Sequence, residues 1–204
     1  MPLLRPDSSS QKICYVAVAV GIAALVLTCV GIATPSWYAA YASTGDGNYA
    51  KIGTANFFYT CVFYATGALQ NCTNRDSSLY GYPGYDLSNS SPWMADYYRR
   101  IQTAGALCII GIILLFLGTL ATLLMAIMYF QTWVTLIPPI LLFLACLFML
   151  AGMAEGARYL LYNDYSANLY QAGHLLTMFT LLLSAFAAGR IHFSRWTAAG
   201  KNVS

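Results

Sequence analysis

Four long apolar runs, none containing a Lys, Arg, Asp or Glu, constrain this chain more than any other feature. They extend from Ile13 to about Ala33, from about Ala104 to Phe130, from Val134 to Ala154 and from about Ala172 to Ala188. The hydrocarbon core of a bilayer takes roughly 20 apolar residues per helix, so each run is long enough, or nearly so, to cross it. Pro35 favours an exit from the first run, because proline disfavours helical geometry in the residue before it. Pro138 and Pro139 fall in the first turn of the third, where the missing backbone N–H has no partner to lose.

The predicted segmentation is an N-terminal stretch 1–12, a first span 13–34, a loop 35–101, a second span 102–130, a turn 131–133, a third span 134–157, a loop 158–170, a fourth span 171–190 and a C-terminal stretch 191–204. With 59% hydrophobic and 8% charged residues, the composition fits neither a water-soluble domain nor a disordered chain. A net charge of +3 arises from charges scattered singly, which leaves no basic stripe to follow a phosphate backbone, and no nucleic-acid partner is expected. At about twenty residues the first run exceeds the 7 to 15 of a signal core and is expected to be a retained anchor. Neither a lipidation motif nor an internal repeat is evident.

Basic residues near the span ends set the expected orientation. Arg5 and Lys12 precede the first span and Arg190, Arg195 and Lys201 follow the fourth, which places both termini in the cytoplasm and the long loop outside. Arg99 and Arg100 at the outer end of the second span oppose this. Asn71-Cys72-Thr73 and Asn89-Ser90-Ser91, two N-glycosylation patterns with acceptors Asn71 and Asn89, support it. Membrane lipid is the one certain neighbour of such a chain.

Of six cysteines, Cys14, Cys29, Cys108 and Cys146 lie inside spans, while Cys61 and Cys72 lie in the outer loop, where oxidant reaches them. Tyr, Phe, Val and Thr dominate Ala55 to Tyr64, which reads as a strand, and Thr66-Gly67 offers a turn. A two-residue turn there pairs residues whose numbers sum to 133, as those of Cys61 and Cys72 do, so a disulfide is expected across the hairpin. Its short ring contributes about 2 to 3 kcal/mol in the chain-entropy model. No nearby His or further Cys completes a metal site. Trp37 to Tyr41 and Asn48 to Ile52 read as two more strands around a Gly45-Asp46-Gly47 turn. Ten tyrosines between Trp37 and Tyr98 suit this sheet to protein contact, although part of them would serve as an aromatic belt at the headgroups.

These features resemble the tetraspan superfamily of claudins, peripheral myelin and epithelial membrane proteins, and calcium-channel gamma and AMPA-receptor auxiliary subunits. That family carries a Trp after the first span, then Gly-Leu-Trp, two residues, Cys, and a second Cys. Trp37, Cys61 and Cys72 match it, and Asn56-Phe57-Phe58 stands where Gly-Leu-Trp is found, with Phe58 in the tryptophan position. Gln102 to Leu107 and Asp164-Tyr165-Ser166 are weaker echoes. The resemblance implies an all-α membrane protein: a four-helix transmembrane left-handed bundle carrying a small antiparallel extracellular β-sheet. Small pairs such as Ala17 with Gly21 and Gly118 with Thr122 would let helices approach.

Glu155 and Arg158 stand i,i+3 near the outer end of the third span and are expected to form a structural ion pair, which His174 could face. Catalytic motifs are missing: no His-Glu-x-x-His, Gly-x-Ser-x-Gly, phosphate loop or Cys-x-x-Cys occurs. No enzyme, cofactor, metal or small-molecule substrate is expected, and a transporter finds little polar chemistry at depth. Two functions follow from the resemblance. One is a claudin-like junction protein of the plasma membrane, meeting copies of itself in cis and trans at lateral contacts to seal the paracellular space. The other is an auxiliary subunit packed on an ion-channel subunit, toward which the long stretch after Cys72 leans. Lys51, Arg75, Arg99 and Arg100 are balanced by Asp46, Asp76, Asp86 and Asp96, so no sign of ion selectivity is expected.

Overall fold

A computed structural model describes residues 7–44, 47–64, 66–74, 92–128, 133–158 and 160–200, and for 92–98 and 194–200 it describes the backbone only. Among the described residues are four α-helices and four strands: α1 (Ser8–Ala33), β1 (Tyr38–Ser43), β2 (Tyr49–Ala55), β3 (Tyr59–Phe63), β4 (Leu69–Asn74), α2 (Pro92–Ile127), α3 (Ile137–Gly156) and α4 (Tyr165–Gly200). The stretches Ser8–Ala33, Arg99–Ile127, Val134–Gly156 and Tyr165–Phe193 are long and apolar enough to cross a membrane. The chain is a multi-pass membrane protein.

Helix ends fall where local chemistry allows. Asp7 caps α1: its carboxylate accepts the Ser10 hydroxyl and its carbonyl accepts the Gln11 N–H at 3.0 Å. A 3-10 turn, Val134–Leu136, leads into α3, whose Pro138 and Pro139 lie in the first turn. Asp164 precedes α4 and accepts the Tyr165 N–H at 2.8 Å. Two helices outrun the segments read from hydropathy. α2 begins at Pro92 rather than 102, and α4 covers Tyr165–Gly200 rather than 171–190. Apolarity marks the lipid-facing length only, whereas a helix continues wherever water or protein satisfies its surface, and proline suits a first helical position.

The strands form one antiparallel sheet in the order β1-β2-β3-β4. Ala39, Thr54, Cys61 and Cys72 stand in one cross-strand row, and Ala40, Gly53, Val62 and Asn71 in the next, on the opposite face. The first row marks the inner face, since Ala39, Thr54 and Cys61 are buried. Both outer hairpins close with a glycine at the third position of a three-residue connection: Gly47 at φ 76° ends 45–47 and Gly67 at φ 81° ends 65–67. Positive φ there is the reason for glycine.

The chain divides into two compact units at Leu27/Thr28, Ile109/Ile110, Met149/Leu150 and Gln171/Ala172. In the first, segments of all four helices converge. Ala24, Leu115, Leu142 and Ala145 form one buried cluster, joined by Leu176 and Leu181; Cys14, Met125, Ala126, Ala187, Ala188 and Ile191 form another. Glycine permits the closest crossings here: a Cβ at Gly118 would lie 2.8 Å from Leu142 Cγ. Thr122 and Ser184 meet hydroxyl to hydroxyl at 3.1 Å, a polar tie between α2 and α4. The second unit holds the sheet.

Candidate functional site

The last four carbonyls of a helix lack intrahelical partners, and at the end of α1 each finds a side chain. Val30 accepts the Thr34 hydroxyl at 2.8 Å, Gly31 the Trp37 Nε1–H at 2.6 Å, Ile32 the Asn56 Nδ2–H at 3.5 Å and Ala33 the Tyr59 hydroxyl. Asn56 Nδ2 also reaches the Thr34 carbonyl at 3.2 Å. Trp37, Asn56 and Tyr59 all belong to the sheet or its turns, so the sheet is the C-cap of the first helix.

Asn56 has a second task. Fully buried, it accepts the Phe58 and Tyr59 N–H groups on Oδ1, both at 2.8 Å, and donates its own N–H to the Tyr59 carbonyl. This Asx-type turn breaks the run Ala55 to Tyr64, read from sequence as one strand, into the end of β2 and the whole of β3. Aromatic and β-branched composition cannot reveal such a break; the asparagine inside the run is its only trace.

Trp37 is fully buried among three rings: Phe57 at 4.5 Å, Tyr162 at 5.1 Å and Tyr170 at 5.3 Å between centroids. Phe57 rather than Phe58 is its partner in the triplet Asn56-Phe57-Phe58; Phe58 is half-buried, 6.4 Å from Phe57. Glycines make room for the cluster. A Cβ at Gly156 would lie 2.6 Å from the Phe57 ring and 2.5 Å from the Tyr162 hydroxyl, and one at Gly105 would lie 3.1 Å from Phe57 Cβ. Tyr162 donates to the Met153 carbonyl at 2.6 Å, and burial, reinforced by Cys108, pushes its phenol well above the usual tyrosine range. It remains a neutral donor.

The segment before α4 closes the free side of β1. Asn163 Nδ2 donates to the Ala39 carbonyl at 3.0 Å, and the Ala39 N–H donates to Asn163 Oδ1 at 2.8 Å, so one side-chain amide pairs as a strand residue would. The Asn163 N–H reaches the Trp37 carbonyl at 3.2 Å and the Ser166 N–H the Ser36 carbonyl at 3.1 Å. Beside them Lys51 Nζ meets Asp164 Oδ2 at 2.5 Å. Partial burial opposes charge on Asp164, but the Lys51 bond, the Tyr165 N–H and the Lys51 charge together hold its carboxyl below the usual range. None of these ties was legible in the sequence, where Lys51 counted simply as a loop charge.

Cys61 and Cys72 are joined in a disulfide across the β3–β4 pair. The turn differs from the expected two-residue one: Tyr64 N–H donates to the Ala68 carbonyl around the three-residue connection 65–67, and Phe63 faces Leu69. A register shift between Val62 and Phe63 then brings Cys61 opposite Cys72. Asn71 is exposed on β4, one position from the disulfide, whereas Asn89 lies outside the described residues. Glu155 pairs with Arg158 at 3.7 Å, yet its shorter contact is Arg100 Nη1 at 3.0 Å, a partner on another helix that i,i+3 spacing could not indicate. His174 is buried, with its Nε2 3.2 Å from the Cys146 carbonyl of α3.

Against this anchored inner face, the sheet leaves Tyr41, Tyr49, Val62, Tyr64 and Leu69 exposed, Tyr49 by 74%. Among the described residues no group of three or more His, Cys, Asp or Glu could hold a metal ion. No family model matches the chain, and no curated protein matches it.

Proposed function

We propose that this protein is a claudin-like cell-to-cell junction protein of the plasma membrane, with both termini in the cytoplasm and the sheet outside. There it associates with copies of itself, in the same membrane and on the facing cell, to restrict paracellular diffusion. The observation that carries this reading is a sheet hydrogen-bonded to the end of α1 that nonetheless exposes Tyr41, Tyr49, Val62, Tyr64 and Leu69. Exposed large apolar side chains on a platform fixed to its membrane helix mark a contact surface, and aromatic residues dominate such surfaces. Lys51 and Arg100 are engaged with Asp164 and Glu155, so neither is a free cation with which to select ions.

The test is expression in a polarised epithelial sheet mixed with non-expressing cells. Enrichment at borders shared by two expressing cells, with a rise in transepithelial resistance, supports the proposal; Tyr49→Ser combined with Val62→Ser should lose both without loss of surface delivery. Uniform distribution with unchanged resistance overturns it, and stoichiometric recovery with a channel would point to an auxiliary subunit instead. Orientation is tested separately: Asn71→Gln should remove one glycan step in gel mobility, and an unchanged band in a glycosylating cell contradicts an outward-facing sheet.

A further inference from the structure

Along α4, Leu182, Phe186, Gly189 and Phe193 recur at helical spacing on one face, and the three side chains among them are strongly exposed, as lipid-facing residues are. Gly189 interrupts that ridge. A Cβ there would meet nothing within 4 Å, so no close helix crossing accounts for this glycine, unlike Gly111 or Gly118. The gap belongs to a cavity of about 550 Å³ lined by Asp7, Ala185, Phe186, Gly189, Arg190 and Phe193. That volume lies within the roughly 300 to 1,000 Å³ of small-molecule sites. Its walls are hydrocarbon and phenyl; its rim is one ion pair, Arg190 Nη2 to Asp7 Oδ2 at 3.2 Å, both side chains half-exposed.

We propose that this trough is a binding site for one glycerophospholipid, an acyl chain lying over Gly189 between Phe186 and Phe193 and the headgroup phosphate held by Arg190. Position along the sequence supports the assignment: Arg190 lies two residues beyond Ala188, the end of the fourth apolar run, where a bilayer-spanning helix leaves the hydrocarbon and its basic residues meet phosphates. Donor count supports it too. The Asp7 contact engages Nη2, and a guanidinium carries five N–H donors in a fork that matches a phosphate. Asp7 is then both the cap of α1 and a competitor for the same cation. An anion arriving at Arg190 exchanges one carboxylate contact for a phosphate contact, and Asp7 keeps its bond from Ser10.

The full chain, purified in detergent with its disulfide intact, would be titrated with dioleoylphosphatidylglycerol or with phosphate-free dioleoylglycerol, and bound lipid counted by native mass spectrometry. Retention of one phospholipid is expected. Gly189→Leu fills the trough and should reduce retention at least about tenfold, while thermal stability stays at the parent value because its Cβ has open space. Arg190→Gln should weaken phosphatidylglycerol by about tenfold and leave dioleoylglycerol unchanged. Asp7→Asn keeps an equally good helix cap but frees Arg190, and should tighten phosphatidylglycerol binding. Unchanged retention in Gly189→Leu, equal loss of both lipids in Arg190→Gln, or weaker binding in Asp7→Asn would each overturn the proposal. So would a shift from dimer to monomer in Gly189→Leu, which would assign the trough to a helix of a second copy. Should Gly189→Leu fail to fold, the opposite effects expected of Arg190→Gln and Asp7→Asn decide the matter alone. Junction formation plays no part in the readout.

Discussion

Asn163→Asp is the most incisive single change available in the second unit. The asparagine amide makes two bonds to Ala39, donating at 3.0 Å and accepting at 2.8 Å. Aspartate keeps the acceptor, loses the donor and sets a carboxylate oxygen against the Ala39 carbonyl. Leaving that carbonyl unpaired costs about 1 to 3 kcal/mol, partly offset because the Ala39 N–H now donates to a charged acceptor. A loss of about 2 kcal/mol corresponds to about 4 to 8 °C for a chain of this size. Protonation restores the donor. The deficit at neutral pH should therefore shrink as pH falls toward the carboxyl range near about 4. Asn163→Ala loses both bonds at any pH and is the internal reference, since the parent protein has titrating groups of its own. Thermal unfolding in detergent, followed by tryptophan fluorescence at neutral and acid pH, measures all three proteins. If Asn163→Asp tracks Asn163→Ala at both pH values, or matches the parent at neutral pH, the amide does not hold β1.

Gly31→Ala should destabilise by about 1 to 3 kcal/mol or prevent folding, because its Cβ would lie 2.7 Å from the Tyr170 backbone N and 2.9 Å from the Ser166 carbonyl O, atoms that cannot rotate away; surface yield and melting temperature check this, with Gly189→Ala as the tolerated control. Trp37→Phe removes the Nε1 donor to Gly31 and should cost about 1 to 3 kcal/mol, and Trp37→Ala, which also empties the ring cluster, about 3 to 5 kcal/mol; parent-like stability of Trp37→Phe in a denaturation series would deny the hydrogen bond a role. Cys61→Ser opens a ring spanning a sequence separation of 11 and should lower stability by about 3 kcal/mol, read as a melting shift that matches the parent after reduction. Asp164 titrates below its ordinary value in the folded state, so the Lys51 contact contributes stability above the unfolded carboxyl pKa and loses it as pH falls through the folded one; Asp164→Asn should flatten the acid limb of a melting-temperature profile.

Hydropathy made the four spans legible because a bilayer imposes one length on every helix that crosses it, and no tertiary contact is needed to read that length. It carries no signal for the helical stretches Pro92 to Ile101 and Tyr165 to Gln171, whose mixed polar composition bears no mark of a bilayer's length. The Cys61 to Cys72 pairing was legible for an almost accidental reason. The turn is one residue longer than supposed, and the bulge beside Val62 takes up the difference. The i,i+3 pair of Glu155 with Arg158 was legible, but its closer partner Arg100 was not, nor were the partners of Trp37, Asn56 and Asn163. Each reaches a residue distant along the chain, such as Asn163 to Ala39 and Arg100 to Glu155, and a single sequence carries periodicity but no record of such pairs. Exposure behaves likewise: many tyrosines announce a contact-prone surface, but only the registered sheet separates Tyr49, facing out, from Tyr59, tied to the end of α1.

Because Trp37, Asn56 and Tyr59 supply the donors that finish α1, this sheet cannot be treated as a detachable module. A chimera that moved strands 38–74 onto another tetraspan scaffold would carry Asn56 and Tyr59 toward carbonyls shaped for a different helix end, and would strand the acceptors left behind. The smallest transplantable piece runs from Gly31 through β4 and must bring the stretch 162–170 with it. Anyone exchanging outer loops to move binding specificity should cut inside α1, upstream of Gly31, rather than at the apparent membrane boundary.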